Sequence, residues 1–437
     1  MNDDTSKKAS RFRDVILLPL LLLAGAALGF LFGGLAGPYW SEPTWAFPAG
    51  LTALLGEIFL NILKLVVVPL IFCSMVAGVA ALGGARRIGG IAGYTFAYYM
   101  LTTFAAVVVG LILVNLIQPG VDVEAGAFGA DLTRADQPWF AALFDVFRGM
   151  FPPNLFQAAA DGNILGLLIF ALAFGGLLTS LGERGRQVVA IFETINDALL
   201  KLVRLIIWAA PVGVLCLVAD RIGEAGGGAA VGEEISRLGQ YFATVLAGLF
   251  VHGVIILPLL LFLLARRNPL RFFGFFAEAV LTAFSTASSA ATLPVTMRSA
   301  RSLAGISHRA SGFVLPLGAT INMDGTALYE AVAAIFIAQV YGIDLSFGQQ
   351  VVVCLTATLA AVGAAAIPQA GLVTMVLVLT AAKIPTEGIA LLLSIDWLLD
   401  RFRTAVNVWG DSVGAAVVDR RWVSGDDAAP APDPGES

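Results

Sequence analysis

"INMDGTALYE", residues 321–330, places Asn322, Asp324 and Glu330 inside a long apolar run, in a chain that is 58% hydrophobic. Ionisable side chains at membrane depth are costly enough that a functional reading is the default. Gly318, Asn322 and Gly325 around Asp324 invite a local unwinding of the helix. An unwound segment exposes carbonyl oxygens and aims a carboxylate, the ligand set that suits a hard cation such as sodium. Asp324, together with Asp411 later in the chain, is therefore assigned to ions. The competing reading is a tolerated kink, with the Asp satisfied by a neighbouring helix.

The rest of the composition fits that setting. The chain has 437 residues, of which 13% are charged, and a mean hydropathy of +0.86. It reads as a polytopic, all-α membrane protein. A formal net charge of -5 argues against a nucleic-acid partner, since that would require a basic surface. Cys73, Cys216 and Cys354 lie in apolar runs and imply neither disulfides nor a thiol metal site. His252 and His308 are far apart and lack HExxH spacing, which sets aside a zinc hydrolase.

Uncharged stretches predict eight spans, at Val15–Gly37, Leu65–Leu82, Ile88–Ile117, Asn163–Leu181, Leu205–Ala219, Leu238–Ala265, Ala310–Val340 and Gly388–Val418. Two further apolar segments, Ala279–Met297 and Leu345–Ala382, are rich in Ser, Thr, Ala and Gly and carry a Pro. Basic residues accumulate in cytoplasmic loops. Lys7, Lys8, Arg11 and Arg13 put the N-terminus inside, and Arg298, Arg301 and Arg309 stay inside only if the first extra segment dips in from the cytoplasm and returns. The second then dips in from outside, and its break at Ile367-Pro368 leaves arms of about ten residues, too short to cross. A ten-span arrangement also keeps the C-terminus inside but moves those three arginines out. Backbone outside a helix at that depth needs a cavity or a protein cover. Residues 118–157 read as an external loop, and the acidic, Pro-rich tail as disordered.

In "SIDWLLDRFRTAVNVWGDSVG", Asp396, Asp400, Arg403, Thr404, Asn407 and Asp411 fall within an arc of roughly 100° on one helix face. Arg401 lies roughly 60° off that stripe. Structurally, such a stripe could simply pair Asp with Arg to fix packing. Functionally, the fork of Arg403 matches a carboxylate and Asp400 can take an ammonium, a pocket for a zwitterion with a second acidic group. In the Ser-rich "TAFSTASSAATLPVTM", the hydroxyls either bond to their own helix or meet a substrate carboxylate at half-helix ends. The residues leave that choice open.

"LPLGATINMDGTALYE", "AFSTASSAATLPVTM", "IPQAGLVTMVLVLT" and "DWLLDRFRTAVNVWGD" resemble the glutamate transporter family, the dicarboxylate/amino acid:cation symporters, over about Val15 to Val418. They look closer to the animal excitatory amino acid transporters than to archaeal aspartate transporters. The resemblance implies a homotrimer working as an elevator. Scaffold helices would lie in residues 1–83 and 118–224, and a moving transport domain in 84–117 and 225–420, with 421–437 a cytoplasmic tail. It implies substrate contacts at Ser288, Ser289, Thr326, Ile367, Gly371, Asp400, Arg403, Thr404 and Asn407. One implied sodium site takes Gly318, Asn322, Asn407 and Asp411, and a second Tyr99, Thr102, Thr103, Asn322 and Asp324. A third lies between Thr320, Met323 and the outer hairpin at Ala361, Val362 and Ala364, where Ala361, Ala364 and Ala366 replace usual hydroxyl residues and a Gly, leaving backbone carbonyls as ligands.

The resemblance also makes Glu330 a proton carrier linked to potassium return, and Arg401 beside Ala287 matches the animal arrangement. Relatives for C4-dicarboxylates lack the Asp at 400, and neutral amino acid exchangers replace the Arg at 403. Both residues are present, which selects L-glutamate or L-aspartate, with Na+, H+ and K+ as coupling ions and no cofactor. A proton-driven or sodium-only relative is the alternative. An intramembrane aspartyl protease lacks its Gly-x-Gly-Asp motif here, so a carrier rather than an enzyme is expected. A bacterial cytoplasmic membrane, with both termini inside, is the simplest location.

Overall fold

The computed structural model describes residues 17–83, 89–121, 144, 148–161, 163–363 and 370–422. The basic N-terminal residues, Arg86 and Arg87, most of the acidic loop, the Ile367-Pro368 break and the tail lie outside them. Among the described residues there are helices and no strands.

The first helices are α1 (Leu18–Ala36), α2 (Ala46–Gly83), α3 (Gly89–Ile117), α4 (Leu155–Ala160), α5 (Ile164–Ser180) and α6 (Glu183–Glu224). A seventh rod opens as α7 (Ala229–Phe250) and runs on through π-type turns at Val251–Ile256 and Leu261–Ala265. Then come α8 (Pro269–Thr286), α9 (Ser289–Arg298), α10 (His308–Ile321), α11 (Asp324–Val340), α12 (Phe347–Gly363), α13 (Ala370–Ala381) and α14 (Ile389–Trp422).

Two helices extend well past their expected spans. α2 starts at Ala46 rather than Leu65, and α6 runs through Glu183–Glu224 rather than Leu205–Ala219. The uncharged-run criterion stops at Lys64 and at Arg204, but a helix continues past the apolar slab as long as its charged residues reach water, as exposed Glu193, Asp197 and Lys201 do on α6. Conversely, only six helical stretches of the described residues are long and apolar enough to cross a membrane by length and composition. α5 has too short an apolar window, and α14 carries too many ionisable residues to qualify despite its 34 residues. The chain is a multi-pass, all-α membrane protein.

α1, α2, α5 and α6 pack on one another. Close approach is made possible by Gly25, Gly29 and Gly33 on one face of α1. A Cβ on Gly29 would lie 2.7 Å from the Leu215 carbonyl oxygen, and one on Gly33 2.6 Å from that of Ala219. Small residues at intervals of four are how apolar helices obtain contact without a hydrophobic driving force between them. α3 and the elements from α7 to α14 form a second packed group. At its centre is α11, buried on every side from Asp324 to Val340 apart from Gln339.

Two helical turn-backs flank this centre. α8 and α9 are joined through Ala287, in the left-handed region at φ 48°, and Ser288, whose hydroxyl caps α9 by accepting from the Ala291 N–H at 3.2 Å. α12 and α13 pack together, and their connection, with Ala364, Ala366 and Ile367, lies outside the described residues.

Candidate functional site

The unwinding expected around Asp324 is present. α10 stops at Ile321, Asn322 (φ -93°, ψ 85°) and Met323 (φ -116°, ψ 57°) leave the helical region, and α11 begins at Asp324. The break leaves carbonyls at the end of α10 and N–H groups at the start of α11 without helical partners. Some are satisfied at once: Asn322 N–H bonds to the Gly318 carbonyl at 2.9 Å, and Gly325 N–H to Asn407 Oδ1 on α14 at 2.8 Å. A Cβ on Gly325 would come 2.7 Å from the Arg403 carbonyl oxygen, so the break and α14 meet backbone to backbone.

Around this break the residues gather into connected groups. Asp324 is fully buried; its Oδ1 accepts from Thr103 at 2.7 Å and Thr102 at 3.4 Å, and its Oδ2 lies 2.9 Å from His252 Nε2. Asn322 donates to Asp411 Oδ1 at 2.9 Å and accepts from Thr102 at 3.4 Å. Tyr99 donates to the Val314 carbonyl at 2.9 Å, and a Cβ on Gly318 would collide with Tyr99 and Asp411. The structure thus brings together Tyr99, Thr102, Thr103, Gly318, Asn322, Asp324 and Asp411, a set of carboxylate, amide and hydroxyl oxygens.

The residues of the third ion grouping lie as follows in the fold. Thr320 is exposed and its hydroxyl donates to the Leu317 carbonyl of its own helix at 2.9 Å, which leaves the oxygen lone pairs and the backbone carbonyl for a ligand role. Met323 is buried. Ala361 and Val362 are buried near the last described residues of α12. Ala364 lies outside the described residues.

The second half of the site is on α14. Arg403 is fully buried, with Nη2 2.7 Å from Asp400 Oδ1, Nη1 3.0 Å from Asp396 Oδ1, and its guanidinium 3.9 Å from the Tyr329 ring centroid. The Asp396 contact has ion-pair distance but not hydrogen-bond geometry, so Arg403 Nε and Nη1 keep donors without acceptors among the described residues. Thr404 bonds to the Asp400 carbonyl, and Asn407 Nδ2 to Thr326 Oγ1 at 3.3 Å. Gly371 of α13 abuts the Arg403 guanidinium, where a Cβ would stand 2.9 Å from Nη1. Glu330 is fully buried and accepts from Thr374 on α13. Ser288 and Ser289 are buried at the start of α9, which packs on α14. Ile367 is outside the described residues.

Arg401 lies at the edge of this centre, against the end of α8. Its Nη1 donates to the carbonyls of Phe284 and Ser285, at 3.2 and 2.9 Å, at the C-terminal end of α8. A cation at a helix C-terminus complements the dipole and takes up orphan carbonyls, so α14 clasps the α8–α9 turn.

Charge sums up what the arrangement can do. Asp324, Glu330, Asp396, Asp400 and Asp411 are all buried, and Arg403, paired with Asp396 and Asp400, is the one buried arginine among the described residues. Ionised carboxylates without compensation are very costly in a dry interior. Protons or bound cations would relieve that cost.

A family model for the Sodium:dicarboxylate symporter family matches residues 18–421. The chain belongs to this family. This symporter is 43% identical to excitatory amino acid transporter 3 of Mus musculus over 413 residues, covering 84% of the chain and 78% of that relative. It is 41% identical to excitatory amino acid transporter 2 of Homo sapiens over 458 residues, covering 92% and 78%, and 38% identical to an excitatory amino acid transporter of Caenorhabditis elegans over 451 residues, covering 92% and 86%. The protein is a transporter, and the protease reading falls away.

Sequence reasoning overlooked three residues of the symporter's centre. The sequence around His252 speaks only against zinc-site spacing, and nothing in its apolar surroundings marks a partner 72 positions on. Tyr329, under Arg403, reads as an ordinary core aromatic, and Thr374 as one more small residue of a turn-back. Asp396 was seen on the stripe but given no task. Its four-residue offset from Asp400 was the available signal.

Proposed function

We propose that the protein takes up L-glutamate or L-aspartate, driven by the sodium gradient, with proton co-transport on Glu330 and potassium return. The observation that carries this reading is the excess of buried carboxylates around Arg403, whose remaining donors suit a second carboxylate. In this reading Arg403 takes the side-chain carboxylate of the amino acid and Asp400 its ammonium, with Thr326, Thr404, Asn407 and the hairpin serines around them. Sodium is bound by the oxygens near Asp324, Asn322 and Asp411. The names of the relatives support an amino acid as substrate.

Coupling follows from the wiring. Asn322 and Asp324 flank the break, Gly325 and Thr326 follow it, and both of these meet Asn407 on the helix that carries Arg403. A sodium ion that fixes the break also fixes the amino acid pocket. Affinity for each must rise with the other, because linkage is reciprocal. The packing of α1, α2, α5 and α6 apart from α3 and α7–α14 supports a scaffold and a transport domain. We read eight crossings and two re-entrant turn-backs, an elevator movement, a homotrimer and a bacterial cytoplasmic membrane with both termini inside.

The deciding experiment is uptake of labelled L-aspartate and L-glutamate into proteoliposomes under an inward sodium gradient, with potassium or choline inside. Sodium-driven accumulation that requires internal potassium is expected. Accumulation indifferent to potassium removes the counter-transport, and accumulation without sodium dependence removes the ion sites.

A further inference from the structure

His252 has no part in the reading above, yet it is fully buried and its Nε2 is 2.9 Å from Asp324 Oδ2. It sits in the π-type turn Val251–Ile256, where the following residue, Gly253, accepts from Trp409 Nε1 of α14 at 2.9 Å. π-type turns within helices mark functional positions more often than ordinary turns do. This one is pinned to α14 by an indole and presents its imidazole to the break. Because an ionised carboxylate only accepts, the His252 nitrogen facing it is the donor. The other ring nitrogen, Nδ1, is buried with no hydrogen-bond partner among the described residues. A proton there would be an unsatisfied buried donor, whereas a bare lone pair costs less, so the neutral tautomer protonated on Nε2 fits the surroundings.

From this we infer that His252 is a positioning residue for sodium: by holding Asp324 Oδ2 from one side it leaves Oδ1 as the single ligating oxygen. Oδ1 is the oxygen that Thr102 and Thr103 face, on the side of Asn322. Bound by both oxygens, a carboxylate spreads its charge over a wider and more flexible site, suited to larger cations. Tied at one, it offers a single hard oxygen in a fixed place. His252 therefore sets both the affinity and the size preference of the cluster, acting through Asp324 without touching the ion. A neighbouring helix donating to a metal-binding carboxylate is the usual way in which surrounding groups orient ligands.

The inference rests on Asp324 being a sodium ligand, so Asp324→Asn is measured alongside. The readout is the sodium-dependent rise in melting temperature of the purified protein without amino acid, followed by half-saturating sodium and the amino acid KM at saturating sodium in proteoliposomes. His252→Met removes the donor at similar volume, and His252→Gln restores an N–H at comparable reach. The expected result is a roughly tenfold rise in half-saturating sodium for His252→Met, with the amino acid KM at saturating sodium unchanged. His252→Gln should return to within about threefold of the parent, and a weaker preference for sodium over the larger potassium ion should accompany the Met variant alone. If Asp324→Asn abolishes the sodium-dependent stabilisation but His252→Met does not alter it, the inference fails while the site stands. If Asp324→Asn leaves it intact, the site reading itself fails. Should His252→Met not fold, a His252→Gln protein with the sodium response of Asp324→Asn would also overturn the inference.

Discussion

Helices α6 and α14 are of similar build, 42 and 34 residues long, and they treat charge in opposite ways. α6 keeps residues 205–219 free of charge, leaves Glu193, Asp197 and Lys201 before them exposed, and turns Leu205 and Val212 outward at 69% and 59% exposure. α14 buries Asp396, Asp400, Arg403 and Asp411 in its middle. An outward apolar middle is what lipid requires of a helix, whereas an inward ionic stripe works against it. The cost of that stripe is tolerable only if something in the centre repays it. On this comparison, α6 is a structural rod and α14 a binding element, although hydropathy alone ranks α6 as the membrane helix and passes over α14.

The comparison breaks most severely at Arg403. Arg403→Gln leaves Asp396 and Asp400 buried beside a neutral group, a change of about 3–5 kcal/mol for a desolvated pair that loses one partner. Uptake of labelled aspartate should fall by roughly a hundredfold or more. Lys201→Gln on α6, with an equal loss of charge, should stay within about twofold. Equal losses from the two would end the distinction between rod and binding element.

Next is Glu330, which accepts from the hydroxyl of Thr374. With Gln in its place the position keeps its size and loses its proton-carrying group. Proton movement accompanying uptake, followed by a dye trapped in proteoliposomes, should vanish, while sodium-dependent exchange of internal for external amino acid persists. Glu193→Gln on α6 should leave proton movement untouched. Undiminished proton flux in the Glu330 variant would move the carrier elsewhere.

A third contrast tests α6 as a packing surface. Gly29→Leu pushes atoms into the Leu215 carbonyl and the Val218 side chain, overpacking that costs about 1–3 kcal/mol. The melting temperature should drop by several degrees while half-saturating sodium is unchanged. A sodium shift with no loss of stability would mean that α1 and α6 communicate with the ion site.

How much of this could be read from the chain depends on the kind of signal. The stripe on α14 was legible because helical periodicity projects Asp400, Arg403 and Asn407 onto one face without knowledge of any partner. The break at Asn322 was legible because Gly and Asn next to Asp mark it locally. The full lengths of α2 and α6 were not, since Lys64 and Arg204 end an uncharged run but do not end a helix. Nor was the place of Arg401, because which carbonyls a long side chain reaches depends on how α8 lies against α14. His252 shows the limit most plainly: a buried hydrogen bond is a property of two residues, and a lone histidine in an apolar run gives notice of only one.

The smallest expected effect concerns an exposed charge contact between the two regions. Lys64 of α2 lies 3.4 Å from Glu387, just before α14, and the two side chains are 33% and 64% exposed. A pair this open to solvent is worth about 0–1 kcal/mol, so it cannot fasten α14 to the first group of helices in the way that buried contacts do. Lys64→Glu should change the uptake rate by no more than about threefold, and the effect should shrink at high ionic strength because exposed charges are screened. Lys64→Glu with Glu387→Lys should restore the parent rate if the contact forms during the cycle. A double variant no better than the single one would show that Lys64 acts on uptake by some route other than Glu387. A large effect unaffected by salt would mean that the pair is desolvated during transport, and that the contact between the two groups of helices is tighter in some stage of the cycle than the 3.4 Å exposed pair suggests.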